Sequence, residues 1–174
     1  MNLRTNGATL ALAGILTMGL AACGGSADAE TADYAAPDSV EIEAVPSAET
    51  LVVYKTATCG CCGKWVDHMV KNGFEVEVHD LSQEELGALK TARGIDRNLQ
   101  SCHTAEIAGY LVEGHVPAED LRRLLSEMPD DVRGIAVPGM PIGSPGMEIE
   151  GKPADEYETV TFNAAGEQTD YAYH

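Results

Sequence analysis

The feature that most constrains this chain is the run CGCC at residues 59–62, set between a β-branched stretch and an amphipathic one. Residues 50–55 (TLVVYK) read as a buried strand. Beyond the cysteines, Trp65, Val66, Met69 and Val70 share one face of a helix predicted over residues 63–72. Gly73 follows, suited to the left-handed cap position. A Cys-x-x-Cys pair, here Cys59 and Cys62, where a strand hands over to a helix is the place of a thioredoxin-like redox pair. Unpaired N–H groups at a helix start favour thiolate over thiol, and Lys55 and Lys64 are expected to add positive potential.

The rest of the pattern completes a fold. Residues 74–79 alternate as a second strand, and SQEE at 82–85 is a capping box for a helix running to about Ala92, with Gly94 past its end. Residues 103–108 and 110–113 flank Ala108-Gly109, a tight hairpin turn. A third helix is predicted from Pro117 to Glu127, with Leu121, Leu124 and Leu125 inward. This order, β-α-β-α-β-β-α, is that of a thioredoxin-like α/β domain, expected over residues 50–128. Residues 129–174 read as an extension packed on the same domain. It consists of a Gly/Pro loop over 134–146 and a terminal β-hairpin made of 157–162 and 168–173.

Residues 1–22 read as an export signal. Arg4 precedes an apolar run of 13 residues, Ala8 to Leu20, too short to span a bilayer. The run ends in Leu20-Ala21-Ala22-Cys23, which resembles the lipobox of bacterial lipoproteins. That resemblance implies acylation of Cys23, and Gly24 after it implies the outer membrane; the alternative is an ordinary secretory signal with an incidental Cys23. Residues 23–49 form an acidic tether without Lys or Arg, too polar to order itself and spanning about 25–30 Å. The expected location is the cell envelope, in the periplasm and lipid-anchored. With 28 acidic and 11 basic residues, net charge -17, the chain has nothing to neutralise nucleic-acid phosphates or to coat an anionic membrane. A membrane is expected only through the lipid anchor.

With Cys23 as anchor, Cys59, Cys61, Cys62 and Cys102 remain, too few for a disulfide scaffold. Cys61 has no place in a plain dithiol enzyme. Three thiols within four residues suit a soft metal: Cu(I), zinc or an iron–sulfur cluster. Structural zinc usually takes two separated chelating pairs, whereas the far side here offers Cys102 alone. Adjacent thiolates can bridge several ions of low coordination number, which favours Cu(I) over zinc. Cys102 lies just before the third strand, in a loop that faces the Cys-x-x-Cys turn in thioredoxin folds and usually carries a cis-proline. Here it reads QSCHT.

Further candidates are less direct. Strand alternation turns His103 away from Cys102, as an outer contributor or an exposed side chain, with direct metal ligation a further candidate role. His115, before the third helix, reads as a capping or surface residue and a candidate ligand. His68 is expected outward, and His79 and His174 carry no signal. Met140 and Met147 flank a Gly/Pro loop and offer thioethers suited to Cu(I).

Four blocks carry a family resemblance: KTATCGCCGKW (55–65), SCHTA (101–105), GYLVEGHVPA (109–118) and AVPGMPIGSPGME (136–148). They resemble the CopG-like family of bacterial periplasmic thioredoxin-like proteins, formerly a domain of unknown function, over roughly residues 50–150. The resemblance implies a thioredoxin-like fold, copper ligation by Cys59, Cys61, Cys62 and Cys102, and a role in copper resistance. It extends less directly to the two methionines. The expected partners are copper ions and envelope copper-transport proteins, with storage, delivery and copper redox conversion all open. The alternative is a thiol–disulfide oxidoreductase with Cys59 as nucleophile and Cys62 as resolving thiol, against which the missing proline counts. A third reading has two inert bridges, Cys59–Cys62 and Cys61–Cys102.

Overall fold

Leu51 and Val53 are buried while Val52 and Tyr54 are half-buried, the two-residue period of a strand packed on one face. That strand, β1 (Leu51–Thr56), leads into α1 (Gly60–Lys71), β2 (Val76–Leu81) and α2 (Gln83–Ala92). Then come β3 (Thr104–Ile107), β4 (Tyr110–Glu113), α3 (Ala118–Glu127), β5 (Gly134–Ala136), β6 (Glu158–Phe162) and β7 (Gln168–Tyr173). This computed structural model describes residues 49–174. The export signal, Cys23 and the tether up to residue 48 lie outside the described residues.

One seven-stranded sheet runs in the order β2-β1-β3-β4-β5-β6-β7. β1 and β2 are parallel, with Leu51 opposite Val76, and β3 is antiparallel to both β1 and β4. This is the pairing expected of the β-α-β-α-β-β-α order. The hairpin β6–β7 continues the same sheet beyond β5, with a bulge at Thr159/Val160. Along β4, Leu111 and Val112 fall in different apolar clusters, as alternation requires. On one face Trp65 and Met69 of α1 pack with Leu51, Val53, Val112, Leu121 and Leu124. On the other, Leu111, Ala136, Val160 and Phe162 gather with Ile95 and Leu99. Among the described residues no helix is long and apolar enough to cross a membrane.

Local chemistry explains the boundaries. The Ser82 hydroxyl accepts the Glu85 N–H at 3.2 Å and the Glu85 carboxylate accepts the Ser82 N–H at 2.8 Å, so the capping box forms as read. α1 starts at Gly60, earlier than the periodicity suggested, and its N-cap is Cys59 itself. The loop expected over 134–146 is partly wrong: Gly134–Ala136 is a strand, parallel to β4 and antiparallel to β6. A Cβ on Gly134 would lie 2.5 Å from the Leu111 carbonyl and from the Phe162 ring, so only glycine fits between those neighbours.

Candidate metal centre

Cys59 caps α1 while Cys61 and Cys62 lie in its first turn, where the Gly63 N–H reaches the Cys59 carbonyl at 3.2 Å. Cys59 and Cys62 are joined in a disulfide, with Cα atoms 5.3 Å apart. Cys61 Sγ lies 3.6 Å from Cys59 Sγ and 3.9 Å from Cys102 Sγ. The four sulfurs all fall within 4.8 Å of one another, Cys62 buried and the others half-buried. The loop before β3 therefore does bring Cys102 onto the cysteine turn. Of the two bridges in the third sequence reading, one is formed; Cys61 and Cys102 are free thiols.

Two histidines, both candidate donors, lie at the Cys102 side, and both are more deeply buried than expected. His115 is fully buried rather than capping or at the surface. Its Nδ1 sits 2.8 Å from the Pro145 carbonyl, which can only accept, so Nδ1 carries the hydrogen. Nε2 then turns its lone pair to Cys102 Sγ, 3.1 Å away. His103 is likewise fully buried, with no hydrogen-bond partner on either ring nitrogen. Its ring lies 4.3 Å from Trp65 and 5.0 Å, edge to face, from His115. Strand alternation did not apply to His103, because β3 begins at Thr104. Cys102, His103 and His115 each place one donor atom within 4.8 Å of the others. Burial holds both imidazoles below the usual histidine range, His103 well below it, where His115, Lys90 and Lys55 add to the effect. Both are thus neutral near pH 7, the form that ligates metals.

The Gly/Pro loop walls this centre. The Ser101 hydroxyl donates to the Gly139 carbonyl at 2.5 Å, next to Met140, and Pro145 holds His115. At Gly146, φ is +87° and a Cβ would meet the Cys61 carbonyl and the Trp65 nitrogen. Met140 stands 57% exposed and Met147 is half-buried. His68 does not point outward: its Nε2 accepts the Ala118 N–H at 3.1 Å and caps α3. His79 pairs with Glu77 and His174 with Asp120, both away from the cysteines. The Lys55 ammonium is paired with Asp80 at 2.6 Å, and its charge still reaches the buried His103 imidazole. Burial, and then the neighbouring Cys61, push the Cys102 thiol up to about 11, so a metal arriving there must displace a proton. Once the disulfide is reduced, four soft sulfurs lie together, and two neutral nitrogens adjoin them at Cys102. That is a donor set for Cu(I) or zinc, and poor for hard cations.

The family described as "Protein of unknown function, DUF411" matches residues 99–147. Two solved structures resemble the chain over nearly their whole length. "Copper resistance protein copG- Form 1" is 41% identical at a TM-score of 0.66, covering 72% of this chain and 96% of the other. The form 2 structure is 40% identical at a TM-score of 0.66, covering 72% and 98%. No curated protein matches.

Proposed function

Because the chain belongs to the CopG copper resistance family, we propose that it is a cell-envelope copper-binding protein holding Cu(I) in a thiolate cluster. The observation that carries this reading is the convergence of Cys59, Cys61, Cys62 and Cys102 within 4.8 Å, with the His115 lone pair 3.1 Å from Cys102. Cu(I) accepts two or three soft donors, and adjacent thiolates that cannot wrap one tetrahedral ion can bridge several such ions. Zinc fits the same sulfurs less well, for want of two separated chelating pairs. His115 and His103 serve as nitrogen donors at the Cys102 side. Met140 and Met147 lie on the loop that walls the cluster and are candidate thioether donors.

The disulfide divides the cycle into two states. Two electrons and two protons, delivered by a dithiol reductant, convert Cys59–Cys62 into two thiols. Only then is the full sulfur set open to copper. The export signal and an acylated Cys23 place the domain in the periplasm on a membrane, with copper ions and envelope copper-transport proteins as partners. The thiol–disulfide oxidoreductase reading is favoured by one observation, the formed Cys59–Cys62 bridge.

Anaerobic Cu(I) titration against a competing chelator separates the two readings. Reduction of the disulfide is expected to increase both the number of Cu(I) bound and their affinity. Changing Cys59, Cys61 and Cys62 together to Ser abolishes tight binding. Affinity unchanged by both treatments, alongside turnover of a disulfide substrate that survives Cys61→Ser and Cys102→Ser, would leave the oxidoreductase reading standing.

A further inference from the structure

Cys102 sits in a turn, residues 100–103, that no proline stiffens. Its sulfur must nevertheless meet partners on two other segments. What holds the turn is a carboxylate. Glu113, the last residue of β4, is fully buried. One of its oxygens accepts the Ser101 N–H at 2.7 Å, immediately before Cys102. The other accepts the Thr104 hydroxyl at 2.7 Å, two residues after it. Lys90, 4% exposed on α2, donates to Glu113 and, at 2.8 Å, to the Thr104 hydroxyl. None of these side chains leaves a buried polar atom without a partner.

A buried ion pair is a poor device for stability alone, since packed apolar residues of the same volume often do as well or better. An apolar pair here, however, would leave the Ser101 N–H without its partner and the turn without its clamp. Burial pushes the Glu113 carboxyl above its ordinary range, and the Lys90 ammonium pulls against that. The geometry is what matters: Lys90 grips the carboxyl and the Thr104 hydroxyl together, while the same carboxyl accepts from both sides of Cys102.

We infer that Glu113, clamped by Lys90, is the positioning residue for Cys102: its carboxylate bridges residues 101 and 104 and aims the thiol at Cys61 and His115. The inference rests on the reading of Cys102 as a soft-metal donor. Glu113 touches no metal donor atom itself. It acts through the backbone of the turn, replacing a stiff ring by a hydrogen-bonded strut.

The test uses the full chain and two readouts. Anaerobic Cu(I) competition titration compares the wild type with Glu113→Gln, Lys90→Met and Cys102→Ser. Loss of a residue that orients a ligand typically weakens metal binding roughly 10–100-fold, and that is expected for the first two. Added to Cys102→Ser, Glu113→Gln should cause no further loss, because both act through one thiol. The second readout needs no metal. Dibromobimane links two thiols only when they lie close together, and the Cys61–Cys102 product is read by mass spectrometry of the joined peptides. It should form several-fold more slowly in Glu113→Gln. Wild-type affinity and wild-type cross-linking in both variants would overturn the inference. So would a loss fully additive to Cys102→Ser, which would make Glu113 a support of the fold alone. Should Cys102→Ser bind Cu(I) like the wild type, the copper reading of Cys102 fails, and cross-linking alone decides the positioning role. If Glu113→Gln does not fold, Thr104→Val removes one strut without stranding a charge and is read against the same outcomes.

Discussion

Replacing Gly146 by alanine puts a methyl group where the structure has no room for one. The new Cβ would lie 2.7 Å from the Cys61 carbonyl oxygen and 2.8 Å from the Trp65 nitrogen. Both are backbone atoms of the first turns of α1, so neither can swing aside as a side chain would. The residue also sits at φ +87°, which disfavours an L side chain by about 1–2 kcal/mol. Relieving the clash means lifting the loop off α1, at about 1–3 kcal/mol by analogy with overpacked cores. The lift carries Pro145 away from His115 and forfeits a hydrogen bond of about 1 kcal/mol. The expected loss is about 3–6 kcal/mol, a large share of the roughly 5–15 kcal/mol that holds a domain together. Gly139→Ala is the matched control: φ there is +73°, but an added Cβ meets nothing within 4 Å. It should lose only the conformational part. Urea unfolding of both variants, with metal absent, measures the difference. Equal losses at the two positions would refute the claim that the loop is pressed against α1, whatever their absolute size.

Two further outcomes follow from the buried histidines. His103→Leu removes two unpartnered buried nitrogens, each an unsatisfied group of about 1–3 kcal/mol. The variant is therefore expected to be more stable than the wild type without metal, yet weaker for Cu(I); denaturation and chelator competition measure the two halves, and loss of stability contradicts the first. The second concerns pH. Burial lowers His68, His103 and His115 below the ordinary histidine value of 6.5, so below that pH the unfolded chain binds more protons than the folded one. Stability is complete above pH 6.5 and falls as the pH drops through the folded values. His68→Gln keeps an acceptor for the Ala118 N–H and should flatten that fall, which unfolding at pH 7.5 and 5.5 would show.

Much of this centre was legible in the sequence because its chemistry is local. The strand, the cysteine turn and the helix after it are contiguous, and Ser82 with Glu85 announces its own helix start. Cys102 was reachable through the fold, since the element order alone brings that loop to the turn. His103 and His115 were legible as candidate donors, but their burial was not. His103 was read as a strand residue, but the ladder starts one residue later, and a side chain outside a ladder obeys no alternation. His115 follows Gly114, whose φ of +74° redirects the chain inward, a bend that the bare sequence does not reveal. β5 was missed for another reason. Its three residues become a strand only because β4 and β6 supply partners on both sides. Likewise, whether Cys59 and Cys62 appear as a bridge or as two thiols is a matter of redox state, which spacing alone does not encode.

Trp65 is the chain's single tryptophan, and its indole N–H donates to the Val116 carbonyl at 2.8 Å while its ring lies against His103. The indole is thus fastened at one end to the segment entering α3 and leans, tilted by 43°, against a prospective donor. Ultraviolet emission from this protein therefore originates, for its tryptophan part, beside the cluster of Cys102, His103 and His115 and nowhere else. The molecule carries an optical gauge of its own, which would report a metal arriving at that cluster without a dye or a label.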